Sequence, residues 1–397
     1  MVDSRLRGVN IGGWLLMEGY LLGGRNIPEC EFKRKFRRIY GNRELDRFEN
    51  CFYNNFITED DIRHISLWGA NCIRIPFNFR LFGTNPSSKS KGFCYLDKIL
   101  SFSKKYKLKV ILDLHATYGG QNPDWHADNR GKACLWGMPS LQKKTYKLWE
   151  IIATRYKEED YLYGYDVLNE PVVDKEKLPI LKKFYSNIIE RIRKVDKKHI
   201  IFLEGNLWAQ QIDFLKDLLR EKVNISIHTY QPLNFTFNFN PNVSYPGLID
   251  KVMWDKNRIR KYLNPYYEFS RRYKVNIFVG EFGINYRKNC AGELTYLNDI
   301  LEIFEEYAFS YTYWTYKAVY GFIFPNGIYQ YLNNSPFIKR EGPVYGWENY
   351  LKLWKSKKKE IISFWKTDNF YLNKRIVDIL RKFFRLSSFN KSKEVVK

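Results

Sequence analysis

A chain of 397 residues with 45% hydrophobic and 27% charged side chains can form one large α/β barrel or two ordinary domains, and that balance excludes a disordered or membrane-embedded protein. The formal net charge of +23, from 66 Lys+Arg against 43 Asp+Glu, raises a nucleic-acid partner. No zinc-finger spacing, helix-turn-helix signature or RNA-binding aromatic motif accompanies it, so the charge reads as solvated surface plus a basic tail, and no nucleic acid is expected.

In chain order, the first seven residues are mostly polar and lack the apolar centre of a signal peptide. With no stretch as long as a membrane span, the chain reads as cytoplasmic with reduced thiols, or as secreted if a signal has been removed. The sequons at Asn224, Asn234, Asn242, Asn333 and Asn390 are then unused. Eight short apolar runs follow, at 6–11, 71–77, 109–115, 164–170, 199–205, 223–230, 276–283 and 311–316. Near-continuous apolar runs separated by helical patterns are the mark of a buried parallel sheet. Thr58, followed by Glu59, Asp60 and Asp61, predicts a capped helix opening toward Trp68. The segments around 96–102, 178–195 and 300–307 carry 3.6-residue spacing. Residues 23–55 form a long basic and aromatic insertion after the first strand, and 321–350 reads as loop after the eighth; both are expected to shape the cleft. Residues 351–397 hold 14 Lys/Arg against 4 Asp/Glu and an amphipathic stretch with Ile376, Ile379, Leu380 and Phe383 on one side. That stretch is expected to complete the outer helix ring; membrane or polyanion contact is the alternative. The six cysteines include no Cys-x-x-Cys pair, which argues against a zinc or redox motif.

Arg74, His115, Asn169, Glu170, His228, Tyr230, Glu281 and Trp314 fall at or near the carboxyl ends of the runs. A barrel gathers those ends on one rim, whereas an open sheet scatters them along an edge. The expected fold is therefore a (β/α)8 TIM barrel over 1–350, with a basic helical extension, 351–397, packed on it.

The two glutamates carry the chemistry. Glu170, in Asn169-Glu170-Pro171, and Glu281, in Gly280-Glu281-Phe282-Gly283, each end an apolar strand, where a carboxylate loses solvation. A pair of carboxyls facing each other, one protonated and one ionised, is what glycosidic cleavage needs. These motifs, with the other strand-end residues, resemble glycoside hydrolase family 5 of the clan A barrels. The opening Arg7-Gly8-Val9-Asn10-Ile11-Gly12-Gly13-Trp14 resembles its exo-β-1,3-glucanase branch in particular. The resemblance implies Glu170 as acid and then base, and Glu281 as nucleophile. It places Arg74 beside Glu281 and Tyr230 as donor to it, with His228 beside Glu170. It gives Asn169 a grip on the sugar 2-hydroxyl, His115 contact with other hydroxyls, and Trp314 the floor beneath the sugar. Glu18 matches an acidic residue that recognises the terminal sugar, although Gly19-Tyr20 follows it where the branch has a proline.

The loop at 119–128 alternates Asp124, His126 and Asp128, a pattern open to a metal. Without a fourth ligand, and for chemistry that needs no metal or cofactor, it reads as a sugar-contacting loop with Trp125 or His126 at the cleft. The sequence thus predicts a retaining β-glycosidase with a carbohydrate substrate, exo-acting on β-glucan oligosaccharides or β-glucosides. An endo-β-glucanase, β-mannanase or glycolipid glycosidase is the second reading, and a non-catalytic sugar-binding barrel the third. The oligomeric state is left open.

Overall fold

The computed structural model describes residues 5–331 and 346–386. The sequons at Asn333 and Asn390, and much of the expected loop at 321–350, lie outside them. Eight parallel strands close a barrel. They are β1 (Arg7–Asn10), β2 (Cys72–Asn78), β3 (Lys109–Ala116), β4 (Leu162–Asp166), β5 (Ile200–Glu204), β6 (Val223–His228), β7 (Ile277–Phe282) and β8 (Ser310–Tyr313). β1 closes the ring by pairing with both β2 and β8, Gly8 opposite Cys72 and Arg7 opposite Tyr311. All eight expected runs are strands of this barrel.

Helices cover it: α1 (Glu29–Tyr40), α2 (Asn42–Asn55), α3 (Glu59–Leu67), α4 (Gly92–Lys105), α5 (Pro139–Tyr156), α6 (Leu178–Val195), α7 (Lys256–Tyr273), α8 (Glu293–Glu306), α9 (Lys358–Trp365) and α10 (Lys374–Phe384). α3 starts with the expected cap, where the Thr58 amide donates to Asp61 Oδ2 at 2.7 Å. α6 buries Leu181, Phe184, Tyr185, Ile188, Ile189 and Ile192, a stripe at helical spacing. No long helix joins β5 to β6. Leu207, Trp208 and Ala209 all adopt left-handed backbone (φ 54, 56 and 62°), which no right-handed helix can pass through.

α10 packs on α8 and β1. Its cap residue Arg385 reaches the carbonyl of Leu67 at the end of α3. Its apolar face, Ile376, Val377, Leu380, Phe383 and Phe384, is buried there and is not a surface free to enter a membrane. Among the described residues no helix is long and apolar enough to cross one. Where loop was expected after β8, residues Tyr329–Tyr331 form a short strand between Lys317–Val319 and Tyr371–Leu372.

The insertion at 23–55 departs from expectation. α1 and α2 form a helical hairpin, but no residue of 23–55 lines the cavity that holds the two glutamates. Its apolar faces are satisfied elsewhere. Phe32 stacks on Trp347 at 4.8 Å, Phe48 meets Trp354 at 5.0 Å, and Phe52 meets Trp365 at 5.1 Å. The hairpin and the C-terminal segment thus share an aromatic region continuous with the main core, which takes up much of the aromatic surplus.

Candidate active site

At the base of the site lies Arg74, fully buried in β2. Its Nε donates to Asp166 Oδ2 (2.9 Å), and Nη1 donates to Asn10 Oδ1 (3.1 Å) and Glu281 Oε1 (2.9 Å). Nη2 donates to Asn169 Oδ1 and Glu204 Oε1, each at 3.0 Å, and lies 3.2 Å from Asp113 Oδ2. The rigid guanidinium fork therefore ties together side chains from around the barrel interior, a geometry that a lysine could not supply. Burial pushes Asp113 up to about 8 against the pull of Arg74, and raises Asp166 as well. In Glu204 burial acts upward too, but His228 and then Arg74 hold it below its ordinary value.

Glu170 follows the end of β4 in left-handed backbone (φ 46°), a costly conformation for a side chain this size. Two bonds hold it there. Its amide donates to Glu204 Oε2 at 2.6 Å, and its carbonyl accepts from Asn122 Nδ2 at 2.8 Å. Its carboxylate meets His228 Nδ1 at 2.7 Å. Glu281, on β7, accepts from Arg74 and, at 2.9 Å, from the Tyr230 hydroxyl. Gly280 makes the space, since a Cβ there would come within 3.0 Å of His228 Nε2 and 2.8 Å of Ser226 Oγ. An oxygen of Glu170, an oxygen of Glu281 and a ring nitrogen of His228 lie within 4.8 Å of one another.

The two carboxylates differ in the cation that faces them. Glu281 faces a permanent charge, Arg74, whereas Glu170 faces a titratable one. Burial would raise Glu170, but the His228 hydrogen bond and charge pull it down to about 2. Burial would lower His228, but Glu204, Glu281 and Glu170 push it well above its ordinary value. The sequence reading placed the resting proton on Glu170. In the structure the surrounding carboxylates favour the charged form of the buried His228 imidazole, and His228 in turn favours the ionised form of Glu170.

The cavity above them, about 440 Å³, is lined by nine of the expected residues: Glu18, His115, Trp125, His126, Glu170, His228, Tyr230, Glu281 and Trp314. Arg74 and Asn169 lie behind its wall, fully buried. His115 Nδ1 bonds Asp113 Oδ2 at 2.6 Å, and its ring stacks on Trp314 at 5.5 Å and 11°. Burial pushes His115 down to about 3, so it is neutral. Trp314 donates its indole N–H to the Tyr20 hydroxyl at 2.5 Å. Glu18 is buried, with Oε1 lacking a hydrogen-bond partner among the described residues, and burial holds its carboxyl well above the ordinary range. A protonated carboxyl facing a cavity can donate to a sugar hydroxyl.

His126 Nε2 lies 3.6 Å from Asp124 and 3.5 Å from Glu170; burial opposes its charge, but Asp124 lifts it to about 9. Asp128, the third member of the alternating loop, points elsewhere. It pairs with Arg80 and accepts from Asn78 Nδ2 (2.9 Å) and the Cys30 amide (2.6 Å). The three side chains do not converge. Among the described residues two other groups do, Glu170/His228/Glu281 and Asp113/Asp166/Glu204, but the first is joined by the Glu170–His228 hydrogen bond and the second by Arg74.

Sequence reasoning missed Asp113, Asp166 and Glu204, although an acidic side chain within an apolar strand was the available signal. It also missed the outer wall: Tyr20, Trp208, Leu233, Phe237, Phe239 and Phe324. Those stand on loops whose course no periodicity reports.

The family model described as Cellulase (glycosyl hydrolase family 5) matches residues 34–319. The chain is 31% identical over 351 residues to a "Beta-xylosidase" of Phanerodontia chrysosporium, covering 84% of this chain and 70% of that one. To "Endoglucanase C" of Acetivibrio thermocellus it is 25% identical over 306 residues, covering 68% and 87%. To a "Glucan 1,3-beta-glucosidase" of Lachancea kluyveri it is 32% identical over 203 residues, covering 45% and 44%. Among solved structures, a glycoside hydrolase superposes with a TM-score of 0.64 at 21% identity, covering 95% and 99% of the two chains. An endoglucanase of Thermotoga maritima gives 0.58 at 20% identity, covering 94% and 96%.

Proposed function

Because the chain belongs to glycosyl hydrolase family 5, we propose that it removes a terminal β-linked sugar by a retaining double displacement, with Glu281 as nucleophile and Glu170 as acid and then base. The observation that carries the reading is the approach of the two carboxylates to within 4.8 Å, oxygen to oxygen. Carboxyls about 5–5.5 Å apart suit attack by one on the anomeric carbon, whereas inverting enzymes need about 6.5–9.5 Å to admit a water.

In the first step Glu281 attacks the anomeric carbon and the glycosidic bond breaks. The leaving oxygen takes its proton from Glu170, which has received it from His228 Nδ1 across their hydrogen bond. A sugar seated on the pair strips its remaining water, and that favours the neutral form over the ion pair. In the second step Glu170 removes a proton from water as the water attacks the glycosyl-enzyme, and Glu281 leaves. Arg74 and Tyr230 hold Glu281 oriented through their hydrogen bonds to its two oxygens. Glu18 and His115 take sugar hydroxyls and Trp314 forms the floor, while Asn169, expected at the 2-hydroxyl, lies behind the wall and positions Arg74 and His115.

Exo-action is supported by a closed end. Tyr20, Trp125 and Phe324, from the loops after β1, β3 and β8, touch one another at 5.8, 5.1 and 6.4 Å beside Glu18. Such a wall favours a chain that ends there over one that runs on. The relative with β-xylosidase in its name makes β-xylosides the second sugar series to assay after β-glucosides.

The test is Glu281→Ala with an activated aryl β-glycoside. Turnover is expected to fall by about 10³-fold or more and to return in part with azide, giving an α-glycosyl azide. Wild-type enzyme is expected to release the β-anomer first. Turnover that survives the substitution, or a first product of α configuration, overturns the assignment.

A further inference from the structure

We infer that the leaving-group side of the cavity accepts an apolar aglycone, so that the substrate is a β-glycoside of an apolar alcohol and not a glucan chain. The inference rests on the reading of the cleft as a retaining β-glycosidase and concerns what stands on the far side of the broken bond.

One end of the cavity is shut, so the leaving group must extend from Glu170 toward the mouth. The loops after β5 and β6, next to β4 in the barrel order, stand on that side, and the loop after β8 reaches them from the closed end through Phe324, which packs against Phe239 at 5.8 Å. Their exposed large apolar side chains include Leu207 (42%), Trp208 (39%), Leu233 (37%), Phe239 (48%) and Ile323 (38%). Trp208, Leu233 and Phe239 line the cavity itself; Leu207 and Ile323 adjoin Trp208 and the lining residue Phe324. Scattered apolar residues on a surface need no explanation, but a contiguous belt around a reaction site marks what binds there.

The belt is held in place by specific devices. Leu207, Trp208 and Ala209 are all left-handed, and strain of that kind persists only where surrounding contacts enforce it. Trp208 is pinned through its indole N–H, which donates to Asp124 Oδ2 at 2.7 Å. Its one polar atom is therefore engaged with the protein, and the ring offers only hydrocarbon to the mouth. Phe239 packs edge-on against Phe237 (5.3 Å) and Phe324 (5.8 Å), and Asn238 Nδ2 ties this loop to the one after β8 through the carbonyl of Phe322, at 2.8 Å.

A sugar in the leaving position would call for flat ring platforms interleaved with hydroxyl partners. Here Leu233 lines the cavity and supplies neither, Phe239 packs edge-on against its neighbours, and the amides of Gln210 and Gln231 are the nearest uncharged polar groups. Asp124, also nearby, is already bound to Trp208 and close to His126. The sugar-binding polar groups, Glu18, His115 and His126, gather at the closed end. The cleft is thus polar where the glycone sits and apolar where the aglycone leaves.

The experiment measures kcat/KM for alkyl β-glucosides from methyl to octyl, below their micellar concentrations, beside cellobiose, laminaribiose and β-glucosyl fluoride. Specificity is expected to rise about two- to four-fold per added methylene until the belt is covered, as burial of a CH₂ predicts. Hexyl and octyl glucosides should then exceed both disaccharides. The combined substitution Leu233→Ser, Phe239→Ser, Ile323→Ser is expected to cut the octyl-to-methyl ratio by about tenfold or more. A flat chain-length series, or disaccharides hydrolysed better than octyl glucoside, overturns the inference while the fluoride is still turned over. If neither the fluoride nor any aryl β-glucoside or β-xyloside is hydrolysed, the hydrolase reading itself fails and takes this inference with it.

Discussion

His228 and Arg74 set the two glutamates apart, one as a proton store and one as a fixed charge. That division gives a signed expectation for pH dependence. His228 is pushed well above its ordinary value of 6.5, so the Glu170–His228 pair keeps its single proton at neutral pH and gives it up only as pH rises through that raised value. The alkaline limb of kcat/KM is therefore expected above 6.5. His228→Asn keeps a hydrogen-bond donor near Glu170 but cannot supply a proton, so the limb should move to lower pH, toward the titration of Glu170 itself. A pH–rate profile of both proteins checks this; an unchanged limb would remove His228 from the proton path. At this scale the sequence showed both glutamates and their immediate neighbours, since each closes a legible strand. It did not show that Asp113, Asp166 and Glu204 share one guanidinium with Glu281, because side chains far apart in the chain meet only once the barrel has closed.

The helical hairpin at 29–55 is the element whose role the sequence misassigned. Its position after β1 placed it on the catalytic side, but its aromatic face belongs to the C-terminal segment. Phe48 touches Phe36 (4.7 Å), Trp354 (5.0 Å) and Trp365 (5.6 Å), with essentially none of its surface exposed. Phe48→Ala is expected to cost about 3–5 kcal/mol of stability by leaving a cavity that rigid rings cannot collapse into. It should leave turnover of an aryl β-glucoside in the surviving folded protein intact, because the hairpin does not reach the cleft. Urea unfolding and a rate measurement at low temperature read the two effects separately. A cost below about 1 kcal/mol would mean that the hairpin is only loosely attached.

For the molecule as a whole, the outer layer of the barrel includes α10, late in the chain. α10 lies against α8 and β1, and Trp354 and Trp365 are fully buried in the shared core. Truncation before Leu351 is therefore expected to abolish cooperative unfolding and leave a protease-sensitive product, rather than trim a dispensable basic tail. A truncated protein that melts at the temperature of the full chain would contradict this. The chain's charge of +23 is carried mainly at the surface, while the cations at the reaction site are buried and paired. Charge is thus a poor guide to what the cleft binds.

The sequence by itself determined the barrel, the order of its strands and the residues at their carboxyl ends, because burial on both faces writes near-continuous apolar runs and makes every polar residue at a strand end conspicuous. Tertiary structure alone decided which cation faces each glutamate, which loops wall the cavity and which face outward. Those depend on distances between segments far apart in the chain and on how deeply each group is buried, and neither quantity is written in local spacing. Asn169-Glu170-Pro171 could be read one residue after another; the His228 that bonds it, and the left-handed Trp208 at the mouth of the cavity, could only be found in space.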